Sequence, residues 1–346
     1  MSKTTFYSIN YIKALAILFV ILNHSLTTDE ILDVGGPFWI YMAVPMFMIV
    51  SGFNMFNSMS RRKMTGFNQY FNVKYFLPKI INVIAPWFIA LLIILIYHLL
   101  LSDITIIEYI NHYILNFRFP GGYYIPILIQ FYFLFPFLYF MFLRNRRLTV
   151  LLMVCFHLSF DYFVNLTSLN TISSVDNIYR ISILRYFVFI LAGMLLAYNI
   201  KRIVQYEYGI YLSSLISIIY IYINSYTNFE INLFDKWSVT ALPTVFLALS
   251  LVVFIFKKLP TIKINLLNII GFNTYFIFIV QMVYFESGIN QITKQIIYQI
   301  IGLPLIISIL LDLLVCVIVG IVFSRGYKYI SAYLLQRNSK LMKTVR

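Results

Sequence analysis

Charge is scarce in this chain. Only 11% of its 346 residues are Asp, Glu, Lys or Arg, less than half of the about 25% that a soluble domain carries. So few charges cannot cover a globular surface in water, which excludes a soluble enzyme. Cysteine is nearly absent too. The two present, Cys155 and Cys316, lie in apolar runs, which argues against a disulfide framework or a thiolate metal site. Neither the histidines nor the acids show ligand spacing, so no metal is expected. The N-terminus, MSKTTFYSIN, lacks a short apolar core closed by a small-residue cleavage site, and the first apolar run reads as a retained span. There is no linker, low-complexity tract or internal repeat, so residues 1–346 read as one membrane domain with a basic tail from about 325 to 346.

What is present is apolar and aromatic: 61% hydrophobic residues, with 33 Phe and 28 Tyr. Such a composition suits lipid-facing helices and interfacial belts. A bilayer core takes about 20 mostly apolar residues per helix. That ruler predicts ten spans, at 8–27, 36–57, 75–101, 121–143, 148–166, 180–200, 207–225, 237–257, 265–286 and 301–324. Segment 104–117 is too short and polar to cross and predicts an interfacial helix. The expected fold is all-α, a polytopic membrane helix bundle of about ten transmembrane helices.

The formal charge of +14 looks like a nucleic-acid signature until it is located. Basic residues sit at the ends of the apolar runs, not on one face, so no nucleic-acid partner is expected. Arg61, Arg62 and Lys63 follow the second span, Arg144, Arg146 and Arg147 the fourth, Lys201 and Arg202 the sixth, and Lys257, Lys258 and Lys263 the eighth. With Lys3 and the tail, one side holds eighteen of the 26 basic residues. The other side has Arg118, Arg180, Lys236 and Lys294, alongside acids such as Asp29, Glu30, Asp33 and Asp103. The positive-inside rule then puts both termini in the cytoplasm of a multi-pass cell-membrane protein.

Ionisable groups at bilayer depth cost about 2.5–3.5 kcal/mol on insertion scales, which makes them functional candidates. Here these are Lys13, His24, Arg185 and Asp312, with Lys79 in the first turns of the third span. Lys13 and His24 lie eleven residues apart on one predicted helix. Eleven steps of about 100° return to within about 20° of the same face after about 16 Å of rise. Both side chains therefore address one groove, with Lys13 near the cytoplasmic end and His24 near the outer end. The alternative reading is that Lys13 snorkels to the headgroups and His24 sits at the outer interface. Asp312, mid-span, needs a partner, and Lys13 or Arg185 are the expected ones. His98, His112 and His157 read as packing or interfacial residues.

The succession of blocks resembles the acyltransferase 3 family, the multi-span membrane O-acyltransferases of bacterial surface glycans. The first span carries Asn10-Tyr11-Ile12-Lys13 and, eleven positions on, His24. The second closes in Ser51-Gly52-Phe53, and the third opens Phe76-Leu77-Pro78-Lys79 and reaches Ala85-Pro86-Trp87. The fourth carries Tyr123-Tyr124-Ile125-Pro126 and Gln130-Phe131-Tyr132, and is similar to members associated with polysaccharide intercellular adhesin and capsule. Arg185, Phe189 and Ala192-Gly193-Met194 match a later block. Two positions depart from the family pattern. Lys13 stands where arginine is usual, and Gln281-Met282 stands where His-Pro is common.

The resemblance implies transfer of an acyl group from acyl-CoA, acetyl-CoA most simply or succinyl-CoA, to a hydroxyl of a surface polysaccharide or a lipid-linked glycan precursor. It assigns His24 as general base, with Arg185 and Gln281 as oxyanion donors and Lys13 as a catalytic cation. Lys13, Lys74, Lys79 and Ser51 would hold the coenzyme, and Gln130 and Tyr124 the acceptor. A glycan synthase is a candidate partner. The rival reading is a polysaccharide export component without acyl transfer, since polar groups at mid-depth also suit a permeation path. A weaker third class is a membrane scaffold for a synthase.

Overall fold

The first helix, α1, runs Lys3–Ser25 and has no acid and no helix breaker, so its backbone hydrogen bonds close internally through an apolar run. The computed structural model describes residues 3–62, 73–101, 105–168, 173–200, 205–227, 229, 231–234, 241–259, 264–296 and 305–344, and among these there is no strand. Thr27 then starts the short helix α2 (Thr28–Asp33) through a capping box with Glu30. Pro37 opens a 3₁₀ turn over Gly36–Phe38, which leads to α3 (Ala43–Arg61).

Helix α4 (Val73–Leu101) carries Pro78 and Pro86 in its interior. The interfacial segment expected at 104–117 is α5 (Ile106–Tyr109), capped by Thr105 and Glu108, and continues as a wider π turn over Ile110–Leu115. Four helices follow: α6 (Tyr124–Arg144), α7 (Arg146–Ser168), α8 (Ser173–Ile181) and, after a 3₁₀ turn at Leu184–Tyr186, α9 (Phe187–Tyr198). Helix α10 (Glu207–Tyr226) pairs with α11 (Val245–Lys258), where Lys257 bonds Glu207. Helices α12 (Asn265–Phe272) and α13 (Thr274–Glu286) meet at Asn273 with a bend of 71°. Helix α14 (Ile289–Gln295) precedes α15 (Leu305–Thr344), 40 residues without a break.

Helix occurs in every segment predicted to span, but the count by length differs. Among the described residues, seven helices are long and apolar enough to cross a bilayer, and α12 with α13 makes an eighth if the bent pair is one span. The other two predicted spans are shorter. The sixth begins with the 3₁₀ turn and is apolar only over Leu184–Tyr198. The eighth is the 14-residue α11, and residues 237–240 of its expected range lie outside the described ones. The stretch expected as a basic tail from 325 continues α15, which passes through Arg325 as unbroken helix to Thr344.

Of the seven long apolar helices, α1 and α3 are the most enclosed, and α10 and α15 the most peripheral. The periphery is greasy: Leu310, Leu314, Ile318 and Val322 form an exposed stripe at helical spacing along α15. In water that stripe would be unfavourable, whereas lipid solvates it. At the centre, α3 and α9 touch backbone to backbone. A Cβ on Gly193 would lie 2.0 Å from the Ile49 carbonyl oxygen, and one on Gly52 would lie 2.4 Å from that of Ile190. Small residues are what permit this approach.

Candidate functional site

A cavity of about 900 Å³ opens within the bundle. Helix α1 gives it Lys13, Val20, Asn23 and His24, so the two ionisable residues of the first span do share a groove. Eleven helical residues separate them by about 16 Å along the axis. Ile17, between them, is fully buried against the neighbouring core instead. Asn10 bonds Asn268 at 2.6 Å and ties α1 to α12.

Cations gather at the Lys13 end. Lys79 from α4 and Lys328 from α15 line the same cavity. Lys79 donates to the Met55 sulfur at 3.0 Å and stands 5.4 Å from the centre of the Tyr132 ring. Lys328 packs 4.3 Å from the Phe272 ring centre and reaches Asn273 Oδ1 at 3.4 Å. Its charge acts on Lys13. The wall between the two ends is largely apolar or aromatic. Tyr124, Leu128 and Tyr132 present one face of α6 at successive turns, opposite Phe47, Val50 and Ser51 of α3. The Tyr124 hydroxyl interacts with Ser51 of the facing helix.

The far end holds His24 and Arg185. His24 contacts Phe285, ring centres 5.5 Å apart, and makes no hydrogen bond among the described residues. Just beyond it, Lys294 donates to the Ser25 carbonyl and fixes the end of α1. Arg185 stands over Tyr179 at 4.5 Å and Tyr186 at 4.9 Å. Gly121 and Tyr123 roof this end. Gly121 has φ +77° and abuts Phe278 and Gln281, so neither a side chain nor an ordinary φ fits there. The preceding loop is clamped by Arg180, which donates to the Asn116 and Phe117 carbonyls. Burial, with Arg118 nearby, pulls the Arg180 guanidinium below its ordinary value. Burial likewise pushes the Tyr123 hydroxyl up.

Several predicted residues lie elsewhere. Gln130 does not reach the cavity; its amide donates to the Ile181 carbonyl at 2.8 Å and accepts from the Ile183 N–H at 3.1 Å, bracing the turn before Arg185. Gln281 is fully buried behind Gly121, with Nε2 on the Pro120 carbonyl at 3.3 Å. Asp312 pairs with neither Lys13 nor Arg185. The Tyr284 hydroxyl donates to it at 2.7 Å, because Asp312 faces α13 and not the cavity. The Lys74 side chain lies outside the described ones, as do Lys63, Lys201, Arg202, Lys236, Lys263 and Asp103.

The sequence reading missed Lys328, whose signal was a helical apolar pattern continuing past Arg325. It also missed a buried pair on α7, where His157 Nε2 lies 3.4 Å from Asp161 Oδ2. The i,i+4 spacing of that pair was its only signal. Near the interfacial helix, Tyr113 donates to Glu286 at 2.5 Å, which leaves its oxygen to accept from His98 Nε2 at 2.7 Å. Burial and then Glu286 push the neighbouring Tyr109 up to about 12.

The family model that matches this chain is that of an acyltransferase domain, the acyltransferase 3 model, over residues 6–325. No curated protein and no solved structure matches it.

Proposed function

Because the chain belongs to the acyltransferase 3 family, and is thus a multi-pass membrane acyltransferase, we propose that it moves an acyl group from acyl-CoA to a hydroxyl of a cell-surface polysaccharide or its lipid-linked precursor. Acetyl is the simplest group. The observation that carries this reading is one cavity with lysines at one end and a histidine with an arginine at the other. A coenzyme has phosphates at one end of a long thin arm and the reactive thioester at the other, and the cavity has the matching polarity.

In this reading Lys13, Lys79 and Lys328 face the cytoplasm, the side to which the charges of Arg61, Arg62 and Arg144 assign their end, and receive the phosphates as point charges. His24 takes the proton of the acceptor hydroxyl, as a positioned imidazole nitrogen can accept a proton and later return it. The freed oxygen attacks the thioester carbonyl carbon, and Arg185 donates to the oxyanion as it forms. The carbon–sulfur bond then breaks, the thiolate leaves, and the imidazolium returns its proton to the sulfur. A preorganised donor of this kind contributes about 3–4 kcal/mol to such a step. Gln281 acts one step removed, by holding the Pro120–Gly121 roof over the reacting groups. Tyr124 and Ser51 line the passage between the two ends.

The test is the acyl content of the surface glycan. Glycan is purified from cells making wild type or His24→Ala at equal membrane abundance, and base-labile acyl groups are assayed. Loss of acyl groups in the variant is expected, and equal content removes His24 from the mechanism. A cavity lined by polar groups within the bundle also suits the rival reading of an export component. That reading predicts a change in the amount of surface glycan on deletion, with the acylation of the remainder unaltered.

A further inference from the structure

Arg185 enters the cavity from a stretch of chain that is not regular α-helix, the 3₁₀ turn Leu184–Tyr186. A long, flexible cation on such a turn would reorganise as charge develops beside it, and reorganisation is what a preorganised site avoids. Three side chains from outside the cavity act against that freedom. Gln130 of α6 bonds both Ile181 and Ile183. His157 of α7 bonds the carbonyl of Leu184, the residue immediately before the arginine, through Nδ1 at 3.1 Å. A carbonyl only accepts, so Nδ1 carries the hydrogen and Nε2 is the nitrogen turned to Asp161. Asp161 lies one helical turn on, and both residues are 1% exposed. The Asp161 carboxylate acts electrostatically on Arg185 as well as on His157.

The arrangement is a chain from carboxylate to imidazole to backbone to guanidinium, and none of its first members lines the cavity. A carboxylate buried beside a histidine is weak evidence for stability alone, since well-packed apolar residues serve that purpose as well or better. We propose that Asp161 and His157 are positioning residues, which hold Arg185 in the place and orientation that the developing oxyanion requires. This rests on the acyl-transfer reading above. His157 fixes the backbone from which Arg185 departs, and Asp161, packed 3.4 Å from the imidazole, opposes the charge of the guanidinium. Arg185, stacked on Tyr179, lines the cavity in front of them.

The experiment uses the full-length protein in membranes, acetyl-CoA as donor, and the cell's own surface polysaccharide, stripped of esters by mild base, as acceptor. Asp161→Asn is expected to lower kcat by about 10- to 100-fold while the KM for acetyl-CoA stays within about twofold. Asp161→Glu is expected to recover part of the loss. In an Arg185→Lys background, adding Asp161→Asn is expected to cost less than about twofold more, because the residue acts through the arginine. If the two losses instead multiply, or KM carries the effect, or Arg185→Lys is fully active, the proposal is overturned. Where Asp161→Asn fails to accumulate, His157→Gln makes the same comparison, since glutamine keeps a donor for the Leu184 carbonyl. A wild-type protein that transfers no acyl group overturns the acyl-transfer reading itself, a failure separable from this one.

Discussion

Lys328 on the last helix and Lys13 on the first line the same end of one cavity, and the charge of the former acts on the latter. Two lysines at one end of a cavity form a mouth suited to an anion. Lys328→Gln is therefore expected to raise the KM for acetyl-CoA about tenfold with kcat nearly unchanged, the pattern of lost uniform binding. The effect is expected to shrink as salt rises, because screening already weakens the contact in the wild type. An unchanged KM at low salt would remove Lys328 from the donor site.

Asp312 is fully buried in α15, and the Tyr284 hydroxyl is the donor to its Oδ1. Tyr284→Phe deletes that donor and leaves the carboxyl without it, at an expected cost of about 1–3 kcal/mol. The double variant Tyr284→Phe, Asp312→Leu removes the need for a donor and is expected to unfold later than the single one. Thermal unfolding in detergent decides this. A double variant less stable than Tyr284→Phe contradicts the pairing.

Two glycines should respond in opposite directions. Gly193→Ala places a methyl group 2.0 Å from the Ile49 carbonyl oxygen, so α3 and α9 must separate. Loss of folded protein from the membrane is expected. Gly209, on α10, meets nothing within 4 Å of an added Cβ. Gly209→Ala is expected to be neutral or to stabilise by roughly 0.5–1 kcal/mol through helix propensity. Membrane abundance and melting temperature of the pair provide the check.

Acid should fray α5 from its start. Glu108 is exposed, and hydrogen bonds from the Thr105 N–H and hydroxyl hold its carboxyl below the usual 4.5. A lowered folded value means the cap's support is complete above 4.5 and is lost as pH falls through the lowered value. Hydrogen exchange of amides 106–109 over an acid series is expected to show protection falling in that window. In Thr105→Ala the fall should begin at higher pH.

The α1 stripe was legible because eleven residues are close to three whole turns, so the sequence alone puts Lys13 and His24 on one face. Arg185 and Lys79 were legible as charges inside apolar runs. What could not be read was any pairing set by tertiary contact. The amide of Gln130 meets Ile181 and Ile183 across two helices, and no local pattern announces that. Asp312 found a tyrosine and not a cation because the rotation of α15 relative to α13 decides its neighbour. Lys328 was hidden by Arg325, a charge that looks like the end of a span but that a continuous helix carries through. The span count differed because 3₁₀ turns and the break at Asn273 shorten helices within apolar stretches of full length.

The contact of α3 with α9 has a mechanical corollary. With carbonyls packed directly against glycines, no layer of side chains lies between the two helices to slide or repack, and close-packed interfaces shift in discrete steps rather than deform gradually. Ser51 therefore rides on one stiff plank formed by α3 and α9. Any breathing that admits a bulky acceptor must come from the opposite walls, where α4 is interrupted by prolines and α12 hinges on α13.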